Sequence, residues 1–331
     1  MDEARRLLHS FRAYQLMVSA CELEIPDLLA ASPRTVQELA EATGTHEPSM
    51  RRYLRGLAAI GAVSEEGSGR YAARPVLDHF RADRPGLRNM TIMLSEEAYR
   101  AWGELTYTLR TGRPAFDHVF GKSRWKALAE DPDAAAKFNA AMVETSTRIA
   151  NQLLAVYDLE SVDEVVDVGG GNGALLAAVL LAHPRMRGVL FDLPQGLAGA
   201  REGLASVSER VRLVEGSFFD DVPSGGDLYL LKSIIHDWDD DHAVKILESC
   251  RRAMDGSARI ALVERLLPDH AVASAEALDA TMSDLNMMVV LGGRERTTKE
   301  YRDLFAATGF HLTRSLPAGD TGFGIFEANP I

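Results

Sequence analysis

The chain has 331 residues with 36 basic and 48 acidic side chains, a formal net charge of −12, and is 46% hydrophobic and 25% charged. That length exceeds one ordinary domain of roughly 100–200 residues and suits two, and the composition is that of a globular protein with ample core. The acid excess argues against a large nucleic-acid footprint, and the longest apolar run, Ala174 to Ala182, is about half the ~20 residues of a membrane span.

The start, Met1-Asp-Glu-Ala-Arg5, has no apolar segment behind basic residues, so no secretion signal is expected. Leu7, Phe11, Tyr14 and Val18 then recur at helical spacing. A short helix over 36–42 ends at Gly44, and Met50, Tyr53, Leu54, Leu57 and Ile60 mark a second. Val63 to Tyr71 has the pattern of a hairpin, so 36–73 reads as a winged helix. Arg51 and Arg52 could reach phosphates, which leaves a DNA-binding regulator as one reading. Glu38, Glu41, Glu47, Glu65 and Glu66 prevent a basic face from forming, however. The reading preferred here is a dimerisation module whose first-helix stripe needs a partner.

From Pro85 to Asp158 the chain is helical and rich in bulky apolar residues, among them Trp102, Tyr107, Phe116 and Trp125. Strands and helices alternate from Val162 onward, which predicts a parallel sheet. Its strands are expected at 164–168, 187–191, 211–214, 227–231 and 259–263. Two more, 311–316 and 323–327, joined by Pro317 to Gly322, should form an antiparallel hairpin at the sheet edge. Cys21 and Cys250 each fall in a helical pattern, as buried thiols of a reduced, cytoplasmic protein would.

The chemistry concentrates at Glu164 to Gly173, E-V-V-D-V-G-G-G-N-G, where an apolar strand carrying Asp167 runs into a glycine-dense turn and then a helix. Such a turn lets a ligand lie against bare backbone, and Asp192, about 20 residues on, suits ribose hydroxyls. Gly169-x-Gly171-x-x-Ala174 also satisfies the nicotinamide-dinucleotide pattern. Asp167 would repel a pyrophosphate there but would welcome a cationic amino-acid end. Further on, Leu230 to His242 reads L-L-K-S-I-I-H-D-W-D-D-D-H.

These segments, together with Phe191-Asp-Leu-Pro194, Gly216-Ser-Phe-Phe219 and Gly292-Gly-Arg-Glu-Arg-Thr297, resemble the S-adenosylmethionine-dependent O-methyltransferases of the caffeate and isoflavone type. The likeness is strongest to the bacterial branch that methylates aromatic natural products, and it spans nearly the whole chain. It implies an α/β, Rossmann-like doubly wound methyltransferase domain over 159–331, a winged-helix dimerisation domain over 1–90, and a helical linker over 91–158 that contributes to the substrate pocket. It further implies a homodimer that takes an aromatic small molecule, uses S-adenosylmethionine, and needs no metal, nucleic acid or membrane. Same-fold relatives that carry out hydroxylation, decarboxylation or ring formation are the alternative.

Carried over residue by residue, the resemblance makes His236 the general base, flanked by Glu264 and Glu295. Cofactor contacts fall on Ser146, Asp167, Gly169, Gly171, Asp192, Leu193, Ser217, Phe218 and Lys232. Acceptor contacts fall on Phe138, Met142, Thr145, Met282, Leu285, Asn286 and Val290. Phe11 or Tyr14 is expected to reach the partner subunit's pocket. Ser217 departs from the family's usual aspartate, so weaker cofactor binding is expected. Ser233 stands where some relatives stack a tryptophan, and Thr145 where some plant relatives have a histidine. The cluster of His236, Asp237, Asp239, Asp240, Asp241 and His242 straddles a loop-to-helix junction; its acids are read as helix-start residues rather than metal ligands.

Overall fold

The computed structural model describes residues 2–319 and 322–331. The chain divides into two compact units, Met1–Tyr99 with Ala136–Thr145, and Arg100–Ala135 with Ser146–Ile331.

In the first unit a long helix, Asp2–Glu22, is followed by helices Ile25–Ala30, Val36–Thr43 and Glu47–Ala59. The third begins at a reciprocal cap: Thr35 Oγ1 accepts the Glu38 N–H at 3.2 Å and Glu38 Oε2 accepts the Thr35 N–H at 2.7 Å. It stops at Gly44, whose φ of 64° suits a residue without Cβ. The expected hairpin forms from β2 (Val63–Glu66) and β3 (Arg70–Ala73), with β1 (Arg34–Thr35) on the far side of β3. Leu39, Met50, Leu54, Leu57 and Tyr71 fill the core beneath. Glu144 ties its own stretch to this unit by accepting the N–H groups of Gly86 and Asn89 at 3.1 and 3.2 Å.

The second unit is built on a seven-stranded sheet. Its strands are β4 (Glu164–Val168), β5 (Arg187–Asp192), β6 (Val211–Glu215), β7 (Leu228–Lys232), β8 (Arg259–Arg265), β9 (Phe310–Pro317) and β10 (Phe323–Pro330). They lie in the order β6-β5-β4-β7-β8-β10-β9. The first five run parallel, and β10 is antiparallel to both β8 and β9. Alternate residues of each inner strand face opposite layers: Val165, Leu190, Leu228 and Leu230 one way, Val166, Phe191, Tyr229 and Leu231 the other. Helix Ala174–Ala182 and residues 146–156 of the helix Pro132–Val156 cover the first face with Leu175, Leu176, Ile149 and Leu153. Helices Asp240–Ala253 and Thr298–Ala307 cover the second with Ile246, Leu247, Tyr301 and Phe305. Burial on both faces explains why these strands read as near-continuous apolar runs.

Two details refine the sequence reading. The last two strands do pair at the edge, but the later one, β10, is inserted between β8 and β9. Its first six residues are all buried whereas β9 is mostly exposed, so the more apolar strand takes the interior place. Of the connection from Pro317 to Gly322, Asp320 and Thr321 lie outside the described residues. Asp227 is not part of β7; its Oδ2 accepts the N–H groups of Asp163 and Glu164 at 2.9 and 2.8 Å, fixing the start of β4. Cys21 and Cys250 are buried free thiols.

The order reverses between β4 and β7, so the crevice at the carboxyl ends of these strands is where such a sheet binds ligands. Just after helix Pro132–Val156, the Tyr157 hydroxyl donates to Glu327 Oε2 on β10 at 2.6 Å, with Arg259 Nη1 at 3.5 Å from the same carboxylate. Tyr157→Phe leaves that buried carboxylate short of a donor and should cost about 1–3 kcal/mol. A urea titration should show a lower midpoint with unchanged slope; an unmoved midpoint would mean the bond contributes nothing.

Candidate active site

Beyond β4 the chain turns through Gly169, Gly171 and Gly173, with φ of 71°, 60° and 80°. These are left-handed values that glycine adopts without strain. At Gly169 space also matters: a Cβ there would lie 2.5 Å from Ile234 Cδ1 and 3.6 Å from Phe218 Cε1. Around Gly171 no atom of the described residues lies within 4 Å of such a carbon, so its backbone is open to a ligand. The Asp192 carboxylate at the end of β5 accepts the Gly171 N–H at 2.8 Å and the Leu193 N–H at 2.7 Å. Burial raises the Asp192 pKa, and those two bonds oppose the shift.

Asp167 lies buried beneath the turn, and Lys232, at the end of β7, is half-buried. Burial pushes the Asp167 carboxyl up to about 7 against the pull of Lys232. Its Oδ2 has no hydrogen-bond partner among the described residues. Burial lowers the Lys232 pKa, while Asp167, Glu264 and Asp237 resist that. Phe218 stands edge-on to Phe219 and Trp238, with ring centroids 4.9 and 6.1 Å away. Ser217 turns its hydroxyl inward to accept the Phe219 N–H at 3.2 Å. Leu193 is exposed, and Ser146 is buried in the same unit.

The imidazole of His236 sits on a short turn after β7. Ser233, with φ of 55°, bends the chain there. Glu264 Oε1 on β8 then accepts the N–H groups of Ile234 and Ile235 at 3.0 and 2.8 Å. His236 Nδ1 lies 2.9 Å from Glu295 Oε1 and 3.7 Å from Glu264 Oε2. A carboxylate only accepts, so Nδ1 carries the proton and the neutral ring keeps its lone pair on Nε2. Glu295 is itself held, its Oε1 by the Ser283 hydroxyl at 2.7 Å and its N–H by Asp284 Oδ1 at 2.9 Å.

The second glycine of the pair before Arg294 has a steric reason. A Cβ on Gly293 would fall 2.2 Å from the His236 carbonyl oxygen, and the Arg294 N–H donates to that same oxygen at 2.8 Å. Thr297 closes the turn by capping helix Thr298–Ala307, with Glu300 answering it.

Burial alone would lower the His236 pKa. Glu295, Glu264 and Asp237 outweigh it and raise the value to about 10. Burial opposes ionisation of Glu295 too, but His236 and the Ser283 bond hold that carboxyl below its ordinary range. Glu264 moves the other way, raised by burial. Asp237, pushed up to about 7 by burial, has its Oδ1 3.4 Å from His236 Nε2.

Asp237 thus departs from the helix-start reading. The role is filled instead by Asp239, which caps by accepting the His242 N–H at 2.9 Å, and by Asp240 and Asp241 in the first turn. Nothing in the sequence indicated that Asp237, although it directly follows the histidine, would lie beside its Nε2. His236, Glu264 and Glu295 offer ligand atoms within 4.8 Å of one another. Oε1 of each carboxylate is already engaged, by two backbone N–H groups in one case and by an imidazole and a hydroxyl in the other.

Met282, Leu285, Asn286 and Val290 share helix Ala275–Val290. Met282 is 45% exposed and Val290 is buried. Asn286 Oδ1 accepts the Trp102 Nε1–H at 2.9 Å, which fixes the orientation of that amide. Phe138, Met142 and Thr145 are half-buried on the Ala136–Thr145 stretch of the first unit, where the Thr145 hydroxyl donates back to Ala141 O at 3.0 Å.

Family models match two parts of the chain: an O-methyltransferase dimerisation domain over residues 5–80 and an O-methyltransferase domain over residues 102–311. The O-demethylpuromycin-O-methyltransferase of Streptomyces alboniger is 41% identical over 98% of this chain and 88% of its own. The solved structure of a mitomycin 7-O-methyltransferase aligns with a TM-score of 0.92 at 35% identity, covering 100% of this chain and 97% of the other. An O-methyltransferase from neocarzinostatin biosynthesis, solved with S-adenosylmethionine and 2-hydroxy-5-methyl naphthoic acid, aligns at 0.80 with 32% identity over 96% of each chain.

The electrostatics of the imidazole can be read directly. An NMR titration of His236 should show its midpoint above neutrality in the native chain. Glu295→Gln removes a negative partner and should lower it. Midpoints near the ordinary ~6.5 in both proteins would contradict the charge arrangement described here.

Proposed function

Because the chain belongs to the O-methyltransferase family, we propose that it methylates a phenolic hydroxyl of an aromatic secondary metabolite with S-adenosylmethionine as donor. The observation that carries this reading is the buried His236–Glu295 pair, built into the same sheet edge as the open glycine turn and Asp192.

The residues present fit the donor. Asp167 has an unpartnered buried oxygen suited to an ammonium group, Asp192 a carboxylate suited to ribose hydroxyls, and Gly171 an uncovered backbone. Gly169, Leu193, Lys232 and Ser146 complete the proposed contacts, with Phe218 against the adenine. Ser217 offers a neutral hydroxyl where a carboxylate would bind the adenine amino group more strongly. When bound, the donor supplies an electrophilic methyl group.

His236 takes the acceptor's proton at Nε2, while Glu295 fixes the tautomer and stabilises the cation formed. Three carboxylates make the ring a stronger base but keep it protonated to higher pH, and a cationic ligand nearby offsets part of that. Only the neutral ring can act, so turnover falls as pH drops through the imidazole's titration. Met282, Leu285 and Asn286 present thioether, alkyl and amide groups suited to a flat ring.

Two copies pair through the first helix, where Leu7, Leu8 and Phe11 are 72%, 65% and 50% exposed. Tyr14 is engaged within its own unit, its hydroxyl donating to Thr91 O at 2.8 Å. Phe11 is therefore the aromatic left to reach a partner. No described helix is long and apolar enough to cross a membrane, and a cytoplasmic setting suits the two free thiols.

Calorimetry should register binding of S-adenosylmethionine or its demethylated product. Methyl-labelled donor should then label a member of a panel of aromatic hydroxy compounds, with turnover unaffected by EDTA. Tight NAD binding without either sulfur ligand would overturn the assignment, and loss of activity in EDTA restored by magnesium would overturn the metal-free base.

A further inference from the structure

Arg296 is a fully buried side chain, 0% exposed, one residue beyond the glutamate that holds the imidazole. Each of its five N–H donors has an acceptor. Nε reaches Asp240 Oδ1 at 3.0 Å; Nη1 reaches Ile235 O at 3.0 Å and Arg294 O at 3.3 Å; Nη2 reaches Trp238 O at 3.0 Å and Asp240 Oδ1 at 2.7 Å. Two of those acceptors, the carbonyls of Ile235 and Trp238, flank His236 on either side. Glu264 in turn takes the N–H groups of Ile234 and Ile235. The Glu264 carboxyl thus collects the turn's donors and a guanidinium its acceptors, and the guanidinium's bonds are charge-assisted in a buried place. The turn needs such restraint, since Ser233 is bent into a left-handed conformation unfavourable for a side-chain-bearing residue.

We propose that Arg296 is a positioning residue that, with Asp240, holds the 235–238 turn so that His236 Nδ1 stays on Glu295. Its catalytic importance rests on His236 being the base. Lysine cannot substitute, because one ammonium with three donors cannot span two carbonyls and a carboxylate in a fixed fork. The imidazole is faced by Asp237 from its own turn, Glu264 from β8 and Glu295 from the turn that carries Arg296. A loosened turn lets the ring drift from Glu295 and weakens that pull.

The test uses Arg296→Lys and Asp240→Asn. Asp240 is a partner at the exposed end of the fork, 57% exposed, so its replacement spares the core if the arginine variant does not fold. Three quantities are measured on folded protein: binding of S-adenosylhomocysteine, the His236 NMR titration, and turnover. Positioning predicts cofactor-product affinity within about twofold of native and an imidazole midpoint moved down toward the ordinary ~6.5. It also predicts kcat reduced by about tenfold or more, with little change in KM for the donor. An imidazole midpoint unchanged in the folded Asp240→Asn protein would overturn the proposal. A midpoint that moves without loss of turnover would uphold the positioning and instead remove His236 from the role of base.

Discussion

The hydrogen bond between His236 Nδ1 and Glu295 Oε1, 2.9 Å long and closed to water, is the constraint around which the second unit is organised. It joins a turn after β7 to a turn after the helix Ala275–Val290, 59 residues apart in sequence. The segment from Gly293 to Thr297 serves that meeting. Gly293 lets the backbones touch, Arg294 ties one carbonyl, Glu295 takes the ring, Arg296 takes two more carbonyls, and Thr297 starts the next helix. Burial, with a smaller contribution from the neighbouring carboxylates, raises Glu264 and Asp237, while His236 and Ser283 hold Glu295 below its ordinary range.

The glycine turn follows the same logic of close approach. Ile234, two residues before the imidazole, packs where a side chain on Gly169 would be, and Phe218 lies beside it. The turn that bears His236 therefore forms one wall of the proposed donor site. An enlarged residue at 169 would disturb both regions together, and this couples the proposed donor contacts to the placement of the imidazole.

Much of this was legible in the sequence. The strand over 164–168, the glycine turn and Asp192 were readable because buried parallel strands are apolar runs and a left-handed turn needs glycine. His236, Glu264 and Glu295 were carried over by resemblance, and the structure brings them together. What was not legible depends on contacts distant in sequence. The insertion of β10 between β8 and β9 is decided by which strand is buried, a property of the assembled sheet. Asp237 looks like one more acid before a helix until burial sets it beside Nε2. Arg296 reads as a surface charge until its carbonyl partners are known. Ser283, between two candidate acceptor contacts, is tied to Glu295 only in three dimensions.

The central claim is that His236 acts as a base and is more than part of a pocket wall. The most direct measurement compares His236→Ala with the native chain over a range of pH and over acceptors whose hydroxyls ionise at different pH. Loss of a general base typically lowers turnover about 10²–10⁴-fold. The account predicts a loss of that order for un-ionised phenols, shrinking as pH approaches the acceptor's own pKa and small for acceptors already ionised, with donor affinity unchanged. An equal loss at every pH and for every acceptor, or native turnover with an un-ionised phenol, would contradict it.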